Sequence, residues 1–255
     1  IASFPVAQNA PEAAATSSEI IAATEDGMTL IYSDSPNGGI GFVDISDAKA
    51  PKPAGYLALQ GEPTSVTIIG AKAYVGVNTS ESYTNPSGKL VVVDIAGQSV
   101  DAEYDLGGQP DSVAHNDAGT LVAIAIENER DEEAGDGGLP QMPAGFVVVF
   151  DVDAKTLKTV DVTGLAAIGA EDPYRFTGSQ ADLPREPDAI KWLDDDRFVI
   201  ANEGDWNGGT RSFSILNRAG EVLFDSAAQL DHYAAQLGHY PDKRNKKGVE
   251  PGHRQ

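Results

Sequence analysis

Three stretches of the chain concentrate carboxylates and amides at a density that could hold a hard cation or move a proton. They are Asn78-Thr79-Ser80-Glu81-Ser82-Tyr83, Glu127-Asn128-Glu129-Arg130-Asp131-Glu132-Glu133 and Asn202-Glu203-Gly204-Asp205-Trp206. Three shorter phrases share their character: Glu62-Pro63-Thr64-Ser65, Gln109-Pro110-Asp111-Ser112 and Glu186-Pro187-Asp188. Hard divalent cations seek clustered oxygen ligands, and Ca²⁺ takes about 6–8 of them. Glu127, Glu129, Asp131, Glu203 and Asp205 are the candidate metal ligands. Asp111 and Asp188 are the candidate bases that would activate water beside a bound ion. The opposing reading is that these loop carboxylates are simply solvated. With 39 acidic residues in the chain, some clustering arises by chance.

Other chemistries find little footing. There is no cysteine, which excludes disulfides, thiolate metal sites and cysteine nucleophiles. No G-x-S-x-G elbow, P-loop, H-E-x-x-H or EF-hand loop occurs. His115 reads as structural, and His232 and His239 are placed on a short helix that they could share as one face. Gly38-Gly39 and Gly208-Gly209 read as hairpin glycines, not phosphate cradles. Asn78-Thr79-Ser80 fits a glycosylation sequon, relevant only to a eukaryotic secreted protein. Trp192 is expected in the core, and Trp206 in a loop on the acidic face.

The elements that would position these loops form a repeat. In three units the proline phrase leads into an apolar run, then a second run, a polar loop, a third run such as Leu90-Val91-Val92-Val93-Asp94 or Phe146-Val147-Val148-Val149-Phe150-Asp151, and a fourth after a turn; an earlier unit lacks the proline but keeps the rest. Four short strands per unit with turns such as Asp117-Ala118-Gly119 predict the blades of an all-β propeller. About four blades are visible, at 19–59, 62–106, 109–162 and 185–225, with 226–255 beginning a further segment. The interval from Pro63 to Pro110 is close to one blade of ~40–45 residues. That from Pro110 to Pro187 carries two inserted stretches. A β-sandwich also has regularly spaced strands, but it does not account for the repeated phrase. Propeller topology places the loop entering the first strand and the loop joining the second and third on one face, so the carboxylates gather at a channel mouth.

Composition sets further bounds. The chain has 255 residues, 18 basic against 39 acidic, and a net charge of −21. Such a field repels nucleic acid and anionic membranes. Hydrophobic residues at 41% and charged residues at 22% are the range of a folded chain. No apolar run approaches the ~20 residues of a membrane-spanning helix. Any signal peptide is expected to have been removed already.

Gln109-Pro110-Asp111-Ser112-Val113, Ala125-Ile126-Glu127-Asn128-Glu129-Arg130-Asp131-Glu132, Pro140-Gln141-Met142-Pro143-Ala144-Gly145, Glu186-Pro187-Asp188-Ala189-Ile190, Ala201-Asn202-Glu203-Gly204-Asp205 and Lys247-Gly248-Val249-Glu250-Pro251 together resemble the bacterial phytase-like esterase propellers, often labelled alkaline phosphatase or surface-layer-related. The resemblance implies an exported protein, periplasmic or extracellular, with calcium as cofactor. It implies an ester or phosphoester substrate and hydrolysis at the acidic mouth. Two departures matter. Glu250-Pro251 is followed by Gly252-His253, and only a short stretch separates Asp172-Pro173 from Leu183-Pro184. Residues are therefore expected to be missing near Pro173/Tyr174 and Pro251/Gly252, and the propeller to be part of a larger one. The alternative function is a non-catalytic binding or surface-layer scaffold with a structural calcium and a cell-surface or protein partner. A lactonase-like propeller is a third reading.

Overall fold

Runs such as Leu121-Val122-Ala123-Ile124-Ala125-Ile126, short and rich in β-branched residues, favour strands buried on both faces. In the computed structural model, which describes residues 2–129, 144–160, 162, 186–203, 211–240 and 249, that run is a strand with all six residues buried. Sixteen strands form four antiparallel sheets of four, each in simple sequential order. Blade 1 is β1 (Ile21–Ala23), β2 (Thr29–Asp34), β3 (Gly39–Asp44) and β4 (Lys52–Ala58). Blade 2 is β5 (Glu62–Ile69), β6 (Lys72–Asn78), β7 (Gly88–Asp94) and β8 (Ser99–Asp105). Blade 3 is β9 (Pro110–His115), β10 (Leu121–Ile126), β11 (Phe146–Asp151) and β12 (Thr156–Val160). Blade 4 is β13 (Pro187–Trp192), β14 (Arg197–Asn202), β15 (Ser212–Asn217) and β16 (Val222–Asp225). A helix, α1 (Gln229–Gln236), follows. This is the β-propeller architecture that the repeat predicts.

The core lies between blades, because each sheet offers an apolar face to both neighbours. Ile31, Ile40 and Phe42 of blade 1 meet Val66, Val75 and Val77 of blade 2. Tyr74, Leu90 and Val92 of blade 2 meet Val122, Ile124 and Ile126 of blade 3. Ala123, Val147 and Val149 of blade 3 meet Ile190, Phe198 and Ile200 of blade 4. Packing between inner strands runs β1–β5, β5–β9 and β9–β13.

The proline phrase joins the blades. Pro110 rests against Gly88 and Pro187 against Gly145 of the preceding blade, leaving no room for a Cβ at either glycine. Two residues after each proline, a serine reaches the next blade: Ser65 Oγ accepts from Val113 N–H at 3.1 Å and Ser112 Oγ from Ile190 N–H at 3.3 Å. In blade 4 this position is Ala189.

Trp192 is buried, its Nε1–H donating to Ala114 O at 3.1 Å. His115 is half-buried and its Nδ1 bonds Thr67 Oγ1 at 2.6 Å, as expected of a structural histidine. The shared helix face of His232 and His239 is not observed, because α1 ends at Gln236 with Leu237 as its cap and His239 lies beyond. Asp131, Arg130, Asp205, Trp206, Gly208-Gly209 and the junctions at 173/174 and 251/252 lie outside the described residues.

Candidate functional site

The repeated phrase has a second structural role. In blades 2, 3 and 4 the inner strand carries a β-bulge directly after its proline. Pro63 pairs with Val77 but Ser65 with Gly76. Pro110 pairs with Ile126 but Val113 with Ile124. Pro187 pairs with Asn202 but Ile190 with Ile200. A bulge inserts unpaired residues and re-aims side chains. The residue after proline (Thr64, Asp111 or Asp188) borders one cavity of about 170 Å³ in the channel, shared with Glu19, Ile20 and two serines. Thr64 is tied off, its hydroxyl donating to Pro110 O at 3.0 Å. Asp111 and Asp188 line this cavity together, close enough for the Asp188 carboxyl to raise Asp111.

The loop after β10 adds the third carboxylate. Glu127 N–H donates to Gln109 O at 3.0 Å, fixing the loop to the strand entrance of the same blade. Asn128 follows in the left-handed region, at φ 53°, and is buried. Its Oδ1 accepts from Gln109 N–H at 2.9 Å and its Nδ2 donates to Ala144 O at 3.0 Å. A Cβ at Gly108 would stand 2.6 Å from Asn128 Oδ1, so the amide fits against bare backbone. Beyond it, Glu129 N–H donates to Gln109 Oε1 at 3.0 Å. The backbone reversal at Asn128 therefore separates Glu127 from Glu129. Glu203 enters from blade 4 by the equivalent contact, its N–H donating to Glu186 O at 3.0 Å.

The five described carboxylates act on one another. Burial, the neighbouring Asp188 charge and their hydrogen bond push Asp111 well above the usual carboxylate range, with Glu203 and Glu129 adding repulsion. Burial, then Asp111, Glu203, Asp188 and Glu129, raise Glu127 in the same way. Both side chains are half-buried by exposure, yet their carboxyl groups lie deep enough in the channel to be poorly hydrated. Among the described residues, the groups that act most strongly on either one are other carboxylates.

Asp111, Asp188, Glu127, Glu129 and Glu203 are thus brought together from two inner strands and two loops of two blades. Among the described residues, however, no three His, Asp or Glu groups form a ready-made chelating set. The donors are all carboxylate oxygens, the ligand type hard cations take. Sequence reasoning missed Asn128 and Gln109, which hold the loop, and Thr64 and Glu19, which line the channel. The Pro-x-Ser repeat carried a signal for Thr64; nothing in the sequence marked the left-handed backbone at Asn128.

A cavity of about 490 Å³ lies at the other end of blades 1 and 2, between turns that include Glu25, Gly70 and Gln98, and contains none of these carboxylates. A smaller one of about 200 Å³ adjoins the mouth at Glu62, Asn78, Tyr83, Gln109 and Glu129.

Residues 19–178 match the family model described as the choice-of-anchor I domain. Among solved structures, hydrazine synthase of Kuenenia stuttgartiensis is similar to this chain at 20% identity and a TM-score of 0.57. The alignment covers 82% of this chain and 48% of that one, so the chain spans about half the length of that structure. At this identity the likeness is one of fold alone. No curated protein matches the chain. These comparisons support a propeller family, and give no specific support to a phytase-like esterase or to hydrolase, phosphatase or calcium assignments. No helix among the described residues is long and apolar enough to cross a membrane.

Proposed function

Because the chain belongs to the choice-of-anchor I domain family, we propose that it is an exported, cell-surface β-propeller module whose acidic channel mouth holds a divalent cation of the calcium class and which serves as a binding scaffold. A choice-of-anchor domain implies a protein held at the cell surface, with a surface or protein partner. The feature that supports the cation reading is the crowding of carboxylates at one cavity: burial and the repulsion of Asp188, Glu203 and Glu129 raise Asp111 and Glu127 well above the usual carboxylate range. A bound cation would favour the charged forms and relieve that repulsion. Asp111, Asp188 and Glu127 would hold it, with Glu129 and Glu203 at the rim.

The scaffold reading is preferred to hydrolysis because the family match is to an anchor domain, and the strongly negative surroundings of the mouth oppose a polyanionic ester. What a cation supplies here is rigidity, as it ties blade 3 to blade 4 across the channel. The test is calorimetric titration of chelator-stripped protein with CaCl₂, with p-nitrophenyl phosphate and acetate turnover followed in the same samples. Calcium binding without turnover, lost in Asp111→Asn/Asp188→Asn, is expected. Metal-dependent turnover lost in the same variant would replace the scaffold reading by a hydrolase. Absence of binding would remove the cation.

A further inference from the structure

Among the described residues, no sheet packs on the face of blade 1 turned away from blade 2; the segment 2–18 is tied to blade 1 as a strap. Asn9 Nδ2 donates to Tyr32 OH at 3.1 Å and to Phe42 O at 3.0 Å. Ser17 N–H donates to Asp34 Oδ1 at 2.9 Å. The seam beneath the strap contains an electrostatic anomaly. Asp34 pairs with Gly39, five residues before the aspartate that ends its neighbouring strand, Asp44. At the same register blade 2 has Val77 and blade 3 has Ile126. All three residues are 0% exposed. Blade 1 therefore places a carboxylate where the repeat places a fully buried aliphatic side chain.

Asp34 Oδ2 has no hydrogen-bond partner, and neither do the buried oxygens Tyr56 OH and Asn9 Oδ1. The Tyr56 ring lies at Gly39, directly across the β2–β3 pairing from Asp34, and the Tyr32 ring covers Gly41 in the same way. Asp34 acts electrostatically on both phenols, which places the three side chains in one neighbourhood. Burial and the Asp34 charge push Tyr56 up to about 12, so it is a neutral hydroxyl; Asn37 lies close enough to oppose this slightly without completing a hydrogen bond. Among the described residues no lysine, arginine or histidine pairs with Asp34.

A buried, singly bonded carboxylate is costly unless its charge is matched. A water would satisfy lone pairs but would leave the charge. We propose that a monovalent cation of the sodium class sits under the strap, held by Asp34 Oδ2 and Tyr56 OH. The set is all oxygen with a single negative charge, which fits a hard ion of charge +1. Its function is to pin the strap over the blade that begins the stack. This site is separate from the channel mouth and stands or falls independently of it.

The test compares thermal unfolding and hydrogen–deuterium exchange of residues 2–18 in NaCl and in tetramethylammonium chloride at equal ionic strength, using the full chain. Sodium is expected to raise the midpoint by roughly 2–4 °C and to slow exchange in the strap. Asp34→Asn removes the difference between the salts, and Tyr56→Phe, which keeps the charge, reduces it. Asp111→Asn/Asp188→Asn retains it in full. Identical midpoints and strap exchange in the two salts for the wild-type protein would overturn the proposal, and this comparison needs no variant to fold. A sodium effect that survives in Asp34→Asn would overturn it equally.

Discussion

Replacing Asn128 tests whether one backbone reversal organises the acidic mouth. Asn128→Ala removes two hydrogen bonds, leaving Gln109 N–H and Ala144 O without their partners at 2.9 and 3.0 Å. Each orphaned buried group costs about 1–3 kcal/mol. Alanine must also adopt φ 53°, where asparagine is tolerated and a Cβ without local hydrogen bonding costs about 1–2 kcal/mol. A loss of about 3–6 kcal/mol is expected, allowing for partial rehydration of Ala144 O. Asn128→Gly removes the same bonds but not the backbone tolerance, so it should be about 1 kcal/mol less damaging. Urea unfolding of the three proteins gives both differences. Calcium affinity should fall in both variants, since Glu127 and Glu129 flank the reversal. If alanine and glycine were equally stable, the left-handed backbone would not be an energetic feature of the loop. If both matched the wild type, Asn128 would not hold the loop at all.

Other outcomes follow from the same geometry. In metal-free protein the folded-state pKa values of Asp111 and Glu127 lie above their unfolded values, so their destabilising effect is absent below about pH 4 and grows as pH rises through the raised values. The stability advantage of Asp111→Asn over wild type, from paired urea titrations across pH, should therefore widen with pH, and calcium should narrow it. Ser112→Ala leaves Ile190 N–H unpaired in a buried seam and should cost about 1–3 kcal/mol by urea unfolding. The blade-4 counterpart is already Ala189, so Ala189→Ser should be near neutral. Trp192→Phe removes the indole hydrogen bond to Ala114 O and loosens an edge-on contact with Phe198, and a cost of about 1 kcal/mol is expected by the same assay.

The blades were legible because each level of the sequence agreed on them. Apolar runs of strand length, turn residues between them and a repeated phrase all specified four-stranded units. The site was partly legible for the same reason: repetition placed Asp111 and Asp188 at equivalent points, and topology put their loops on one face. What the sequence withheld was local backbone geometry. Nothing in Glu127-Asn128-Glu129 says that its middle residue reverses the chain, and the bulge after each proline is a matter of pairing register. The polar seam of blade 1 was hidden for a different reason. Asp34 in Tyr32-Ser33-Asp34-Ser35-Pro36-Asn37-Gly38 looks like a turn residue, and only the register shows that it occupies a core position.

The proline phrase links packing to chemistry. Proline seats the inner strands of blades 3 and 4 against a glycine of the blade before, and in blades 2 and 3 the serine two residues on reaches the blade after. Between these two anchors the bulged residue has no ladder partner and is free to differ among blades. In blade 2 it is Thr64, which closes back on the backbone; in blades 3 and 4 it is aspartate. Two adjacent aspartates facing one channel repel, and a stable fold must answer that repulsion with a proton or a cation. Threonine at both positions would give the same blade packing without the cost. Asp111→Thr/Asp188→Thr should therefore fold at least as stably as metal-free wild type while losing the calcium response. A double variant less stable than the metal-free wild type would mean that the aspartates serve the packing itself, and that the mouth was not built around charge.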